Sequence, residues 1–319
     1  MSEPLNLDII KKSIDEIYKR TLDDFWDNEE KDLSNNSEFL RLLYYNIISD
    51  CLGYQYSLLK NDLYTRVIDN QKLKDIEGIE LFNHFYKHQF THCYTAFIDE
   101  YFEIQEAKEI LNRTHYNKKE FYLKAQSDVI EEAIDLFHFI LQFGVIISEI
   151  SCVKKVLKYN ENDIPFNTNN LDNFLKSDLI VKYIQTTLNL LASNISSNYG
   201  YINENNNENI LYKARNLIRK INWKDWKTYK QDHYNDEILS LIKHDILEIF
   251  NIFISNTFIG CVDNIIKSNK IDKNNSNLFW NEFLDNGGKE LDKVQILLLI
   301  YGIYMAKNYV NIERQKNGY

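Results

Sequence analysis

The sequence predicts an all-α protein built as a multi-helix bundle. Only two prolines and nine glycines occur among 319 residues, so the turn residues that a β-sandwich or β-barrel requires are scarce. Apolar residues recur instead at intervals of three and four, which is the spacing of one buried helix face. With 44% hydrophobic residues, a chain of this length can bury a large core.

This spacing predicts the order of the helices along the chain. The predicted helices are 5–20, 37–60, 78–112, 120–150, 171–196, 208–221, 236–268 and 289–316. Asn-rich stretches between helices predict surface loops at 159–173, 203–209 and 272–277. We expect a single domain over 1–319, divided into an acid-bearing half, 1–158, and a second half, 171–319.

Two segments of the bundle resemble each other. The residues from Glu132 to Leu141 share their acid spacing and apolar frame with those from Asp245 to Ile254, which hints at duplicated helical pairs. Lys213 and Asn216 occupy the positions at which a second copy of the acid pair Glu100 and Glu103 would fall. The duplication is therefore degenerate, unless the similarity is a chance likeness between two amphipathic helices.

Charge excludes one class of partner. The net charge of −10 at pH 7 would repel a phosphate backbone, and no cluster of lysine and arginine overrides it, so we expect no nucleic-acid binding. A small anionic substrate bridged by metal ions stays compatible with this charge. The four cysteines contain no CxxC pair, which is typical of reduced thiols rather than of a disulfide or zinc framework.

Hydropathy predicts no association with a membrane. No secretory signal is visible in the first twenty residues. The longest apolar runs, 133–150 and 294–305, are either interrupted by polar residues or too short to span a bilayer. The expected compartment is therefore cytoplasmic or nuclear.

Two acid pairs on consecutive predicted helices form a candidate metal site. Glu100 and Glu103 are three residues apart, as are Glu132 and Asp135, so each pair projects from one face of its helix. Asp135 belongs to a polar stripe on an otherwise apolar helix, formed by Glu131, Asp135, His138 and Gln142. Buried carboxylates are costly unless something satisfies them. Carboxylates from two facing helices suit Mg²⁺, or Mn²⁺. Salt bridges or a solvated acidic face are the alternative.

The last predicted helix carries a stripe of hydrogen-bond donors. Lys307, Asn311 and Arg314 fall within a narrow sector of that helix, with Asn308 beside them. Lysine and arginine hold phosphates, and the amides can hydrogen-bond a sugar or a base. A nucleoside triphosphate that lay between this helix and the metal ions would find ligands for its phosphates and for its sugar or base. Cations that favour a helix C-terminus are the alternative for Lys307 and Arg314.

These motifs together resemble a known family. An ExxE motif at Glu100, an ExxD motif at Glu132 and a terminal KNxxNxxRQxxGY motif that begins at Lys307 resemble the dimeric all-α dUTPases of the MazG-like nucleoside triphosphate pyrophosphohydrolases. The resemblance covers residues 90–145 and 295–319. It implies a bundle of that type, a homodimer, and Mg²⁺-dependent hydrolysis of dUTP to dUMP and pyrophosphate, with dUDP as a related substrate.

The resemblance also implies roles for individual residues. One carboxylate of the metal site would orient or deprotonate the attacking water. The residues implied to bind Mg²⁺ and to be catalytic are Glu100, Glu103, Glu132 and Asp135. Those implied to hold the phosphates are Lys307, Arg314 and Asn308, and those implied to contact the nucleoside are His138, Phe139, Asn311 and Gln55.

Three alternatives stay open. The substrate could be dCTP or a modified nucleotide, since the residues that would recognise uracil are incomplete. The chain could be a non-catalytic helical module that keeps the fold. His84, His88 and His92 recur every four residues and could bind a transition metal with nearby acids, although a plain helical face has the same spacing.

Overall fold

Helices make up all the regular structure of the described residues. The computed structural model describes 5–25, 33–68, 78–115, 118–159, 177–198, 209–220, 236–269 and 291–316, and no strand occurs within these ranges. The all-α prediction is confirmed. The α-helices are α1 (Leu7–Asp24), α2 (Ser37–Ile68), α3 (Gly78–Arg113), α4 (Lys119–Tyr159), α5 (Asp178–Ser197), α6 (Ile210–Lys220), α7 (Asp236–Ile252), α8 (Ile259–Asn269) and α9 (Lys293–Lys316).

The observed helices follow the predicted ones with three differences. α1, α2 and α4 continue beyond their predicted ends, to Asp24, Ile68 and Tyr159. The predicted helix over 236–268 contains a π-helical segment, Phe253–Phe258, which separates α7 from α8. A 3₁₀ turn at Leu33–Asn35 precedes α2. The Asn-rich segments and the start of the helix predicted over 171–196 lie almost entirely outside the described residues.

Polar side chains begin several helices as the sequence dictates. Asn6 and Asn36 each accept two hydrogen bonds from backbone N–H groups in the first turns of α1 and α2, which satisfies donors that have no partner within the helix. At the start of α9, the Gln295 N–H donates to Asp292 Oδ1 at 2.8 Å, and the Asp292 N–H donates to Gln295 Oε1 at 3.0 Å. This reciprocal capping box fixes the point where α9 begins.

α4 lies at the centre of the bundle. It packs against α2, α3, α5, α7 and α9, and the run 140–150 is buried throughout. Two stretches, Glu120–Cys152 and Asp236–Lys267, are long and apolar enough to cross a membrane, but 89% and 56% of their most apolar windows are buried inside the fold. This burial is consistent with a soluble protein, whose core helices are apolar on most sides.

α9 packs against α1 and α2, and side-chain hydrogen bonds join α9 to α2 and α2 to α1. Asp50 Oδ2 on α2 accepts from Tyr301 Oη at 3.0 Å and from Arg20 Nη2 at 2.8 Å. Tyr304 Oη donates to the carbonyl oxygen of Cys51 at 3.0 Å. α9 also packs against α4, so the last helix is joined to three helices of the predicted acid-bearing half.

Gly302 marks the closest approach of α1 to α9, and it generates a stability prediction. A Cβ atom there would lie 2.9 Å from Ile10 Cγ2 and from Ile14 Cγ1, whereas a Cβ atom at Gly53 in α2 would meet nothing within 4 Å. G302A should lower the free energy of unfolding by about 1–3 kcal/mol through overpacking. G53A should raise it by up to about 1 kcal/mol, because alanine favours a helix. Urea unfolding of both variants measures the difference, and equal shifts would contradict this packing.

Candidate metal centre

α3 and α4 pack as an antiparallel pair. Tyr86 Oη donates to Glu149 Oε2 at 3.4 Å, and Cys93 Sγ donates to the carbonyl oxygen of Phe139 at 3.3 Å. Later positions on α3 therefore meet earlier positions on α4. This direction brings the first predicted acid pair beside the second.

Three of the four predicted metal ligands form one cluster. Glu100, Glu103 and Glu132 each offer a carboxylate oxygen, and these oxygens all lie within 4.8 Å of one another. Glu103 is exposed, while Glu100 and Glu132 are half-buried. The cluster is open to solvent on one side and surrounded by protein on the other. An ion could reach it without crossing the core.

Asp135, the fourth predicted ligand, is paired with a lysine from α9. Its carboxylate forms an ion pair with the Lys307 ammonium, and the same Nζ lies 3.8 Å from Glu131 Oε2. Burial raises the pKa of Asp135, and the positive charge of Arg314, also on α9, opposes this rise together with Lys307. The predicted acids and the predicted cations are therefore neighbours in the fold.

Crowding changes the protonation of the acids. Burial, followed by repulsion from Asp135, Glu103 and Glu132, raises the pKa of Glu100 to about 8. Burial and the charge of Asp135 raise the pKa of Glu132 to about 7. Burial also raises the pKa of Asp135, although Lys307 opposes this shift. In the absence of a cation the cluster therefore retains protons near neutral pH.

The donor set of this cluster fits a hard divalent cation. Every candidate ligand among Glu100, Glu103, Glu132 and Asp135 is a carboxylate, and oxygen ligands suit Mg²⁺ or Mn²⁺ rather than a soft metal. A cation would replace the retained protons and remove the repulsion that raises these pKa values. The residues present are therefore compatible with the predicted metal.

His138 lies in the core next to Asp135. Its Nδ1 is 2.9 Å from the carbonyl oxygen of Ile134, and its ring stacks on Tyr304 with centroids 4.5 Å apart. Burial lowers the pKa of His138 to about 4, so the ring is neutral at pH 7. Because a carbonyl oxygen can only accept, Nδ1 carries the proton and Nε2 is left as an acceptor.

The remaining predicted residues on α4 and α9 occupy different environments. Asn308 is 2% exposed, and its Oδ1 accepts no hydrogen bond from the described part of the chain. Phe139 and Asn311 are half-buried, and Arg314 is exposed. Asn308 follows Lys307 in α9, and its burial places its amide in the core.

Gln55 lies on α2, in the core. It is 6% exposed and lies one helical turn after Cys51. The carbonyl oxygen of Cys51 accepts a hydrogen bond from Tyr304 on α9. Gln55 therefore belongs to the part of α2 that faces α9. Among the described residues, no hydrogen bond or ion pair joins it to Glu100, Glu132 or Asp135.

Two residues join the site that sequence analysis had not assigned to it. Glu131 is 7% exposed, accepts a hydrogen bond from Ser127 Oγ at 2.7 Å, and faces Lys307. It precedes Asp135 by one helical turn, and this spacing was the available signal. Tyr304 precedes Lys307 by three residues and stacks on His138, a contact that only the docking of α9 on α4 creates.

The rival histidine site receives no support from the described residues. His88 and His92 are exposed on α3, and the side chain of His84 lies outside the described part. Within the described ranges, the potential metal ligands whose atoms lie close to one another are those of the carboxylate cluster. An exposed pair of histidines on one helix is typical of a solvated face.

Comparison with models of protein families, with curated proteins and with solved structures finds no match for this chain. The chemistry of the site is therefore the basis for assigning its function. Carboxylates that can hold a divalent cation adjoin a lysine and an arginine that can hold phosphates.

The pKa of Glu100 predicts how the stability of the metal-free protein depends on pH. This pKa is about 8 in the folded protein against an ordinary value of 4.5, so between these values the folded state holds a proton that the unfolded chain has released. The stabilisation from Glu100 is complete below about pH 4.5 and is lost as the pH rises through about 8.

Thermal unfolding in a chelator, followed by circular dichroism across this pH range, measures the loss. The E100Q/E132Q variant should show a flatter dependence than the wild type, because its amides do not titrate. A wild-type profile no steeper than that of the variant would contradict the assigned repulsion.

Proposed function

We propose that this chain is a Mg²⁺-dependent dUTP pyrophosphohydrolase of the dimeric all-α, MazG-like type, which converts dUTP to dUMP and pyrophosphate. The observation that supports it most directly is the juxtaposition of the carboxylate cluster on α3 and α4 with Lys307 on α9. Metal ions need negative ligands and a phosphate chain needs positive ones, within a few ångströms of each other. The carboxylates and Lys307 are of these two kinds.

The carboxylates would have two tasks. Glu100, Glu103, Glu132 and Asp135 would hold Mg²⁺ or Mn²⁺, which supplies charge neutralisation to the phosphates and acidity to a bound water. One of the carboxylates would take a proton from the water whose oxygen attacks the α-phosphorus. The bond from that phosphorus to the oxygen bridging the β-phosphorus would break, and pyrophosphate would leave with the bridging oxygen.

The cations of α9 would hold the departing phosphates. Asp135 and Glu131 raise the pKa of Lys307 in spite of its burial, so Lys307 stays charged. Neutralisation of the acids would free the ammonium group to contact phosphate oxygens. Arg314 is exposed about two turns further along α9 and can approach a more distant phosphate.

The buried acceptors of α4 and α9 favour uracil over cytosine. Nε2 of His138 is an acceptor without a partner in the described residues, as is Oδ1 of Asn308. The N3 atom of uracil carries a hydrogen and can donate to such an atom. The N3 atom of cytosine has a lone pair in that place and would oppose it.

Isosteric changes at the carboxylates test the catalytic assignment. E132Q and D135N should each lower kcat/KM for dUTP by about 100-fold or more, because each removes a charged metal ligand while keeping its shape. The matched control is E106Q, a change of an exposed acid on α3, which should keep wild-type turnover. Turnover of E132Q and D135N at the wild-type rate would place the reaction elsewhere.

A substrate panel tests the reaction and the base. Purified protein with Mg²⁺ is incubated with dUTP, dCTP, dTTP, UTP and dUDP, and pyrophosphate is measured separately from phosphate. We expect pyrophosphate from dUTP at the highest rate. Preference for dCTP would contradict the assigned base, and no hydrolysis of any nucleotide would contradict the proposed enzyme.

A further inference from the structure

The hairpin of α6 and α7 matches the hairpin of α3 and α4 position by position. Glu132 corresponds to Asp245 and Asp135 to Glu248, and in both cases the residue numbers differ by 113. The same difference relates Glu100 on α3 to Lys213 on α6. One offset of 113 residues therefore aligns α3 with α6 and α4 with α7.

Burial follows the same correspondence. Four core positions of α4 and the four positions of α7 that lie 113 residues later are all 0% exposed. The pairs are Val129 and Ile242, Ala133 and Ile246, Leu136 and Ile249, and Phe137 and Phe250. α4 and α7 therefore share one buried face, and α4 is also buried at Glu131 and Phe143, whose counterparts His244 and Asn256 are exposed.

The two hairpins also pack on each other symmetrically. α3 contacts α6, and α4 contacts α7. The ring of Phe137 meets the ring of Phe250, its own counterpart, with centroids 6.0 Å apart and planes at 88°. A residue that touches its counterpart is the signature of an approximate two-fold axis between two similar units.

Charge is where the two hairpins differ. In the first, Glu100 lies close enough to Asp135 for the two negative charges to repel. In the second, Lys213 takes the place of Glu100 and forms an ion pair with Glu248, the counterpart of Asp135. Lys220 Nζ also lies 2.5 Å from Asp245 Oδ2, and its counterpart in the first hairpin is Ala107.

We infer that Lys213 and Lys220 supply the second hairpin, from within itself, with positive charge that the first receives from Lys307 of α9 and, at Glu100, Glu103 and Glu132, from a metal ion. The second hairpin is then a self-neutralised copy that folds without metal and binds none, and the protein holds one metal site per chain. Exchange of acids for lysines at the corresponding positions should interconvert the two kinds of site. The statement about the first hairpin's metal rests on the proposed function, whereas the statement about the lysines does not.

The first experiment gives the acid-site hairpin the residues of its counterpart. E100K/E103N should raise the melting temperature in a chelator by at least about 2 °C, since ion pairs replace repulsion, and should abolish Mn²⁺ binding measured by electron paramagnetic resonance. The control D99N/E106K makes the same change of formal charge at exposed positions of α3 and should leave Mn²⁺ binding intact. A melting temperature equal to or below that of the wild type, or no larger rise than in the control, would overturn the inference.

The second experiment gives the α6–α7 hairpin the residues of the acid site. K213E/N216E/K220A should melt lower than the wild type in a chelator, recover on addition of Mn²⁺, and bind more Mn²⁺ per chain than the wild type. A folded variant with the wild-type metal stoichiometry would overturn the inference, and so would a variant that Mn²⁺ does not restore.

The two proposals fail in different ways. If the wild type binds no metal and hydrolyses no nucleotide, yet E100K/E103N is more stable than the wild type in a chelator, the proposed function is wrong and the role of the lysines stands. If the wild type is active but neither exchange changes stability or stoichiometry as stated, the proposed function stands and the inference is wrong.

Discussion

Like charges held between α3 and α4 are the constraint on which the rest of the structure depends. Glu100, Glu103, Glu132 and Asp135 converge there with Glu131, and among described residues Lys307 is the cation in contact with them. Partial burial strengthens each repulsion, since little water lies between the charges. The site must therefore take up protons or a cation, and a raised pKa at Glu100 and Glu132 is the physical mark of that demand.

The apolar part of the bundle keeps these charges together. α4 is buried on nearly all sides beyond the acids, so its polar stripe cannot turn towards solvent without exposing the core. α9 brings Lys307 to the stripe because Asp50 and Cys51 on α2 hold Tyr301 and Tyr304. A preorganised site of this kind binds a cation or phosphate without first having to assemble its ligands.

The two hairpins show that one backbone arrangement accommodates two solutions to the burial of acids. Asp245 and Glu248 are neutralised by lysines of the same hairpin, while Glu100, Glu103 and Glu132 form no ion pair with a described residue of α3 or α4. A lysine placed beside each carboxylate stabilises the fold, but it leaves no unneutralised negative charge that could bind a metal ion. The acids that lack one are the place where a ligand gains the most binding energy.

The sequence by itself determined the helices and the face that each acid pair occupies. Apolar spacing, the capping residues Asn6 and Asn36, and the three-residue spacing of Glu100 and Glu103 are local properties, because helical hydrogen bonds join residues four apart. Only the tertiary structure decided that Lys307 pairs with Asp135 across 172 residues of chain, and that Glu131 shares this lysine. Such contacts depend on how helices distant in the chain pack together, which no local pattern of residues encodes.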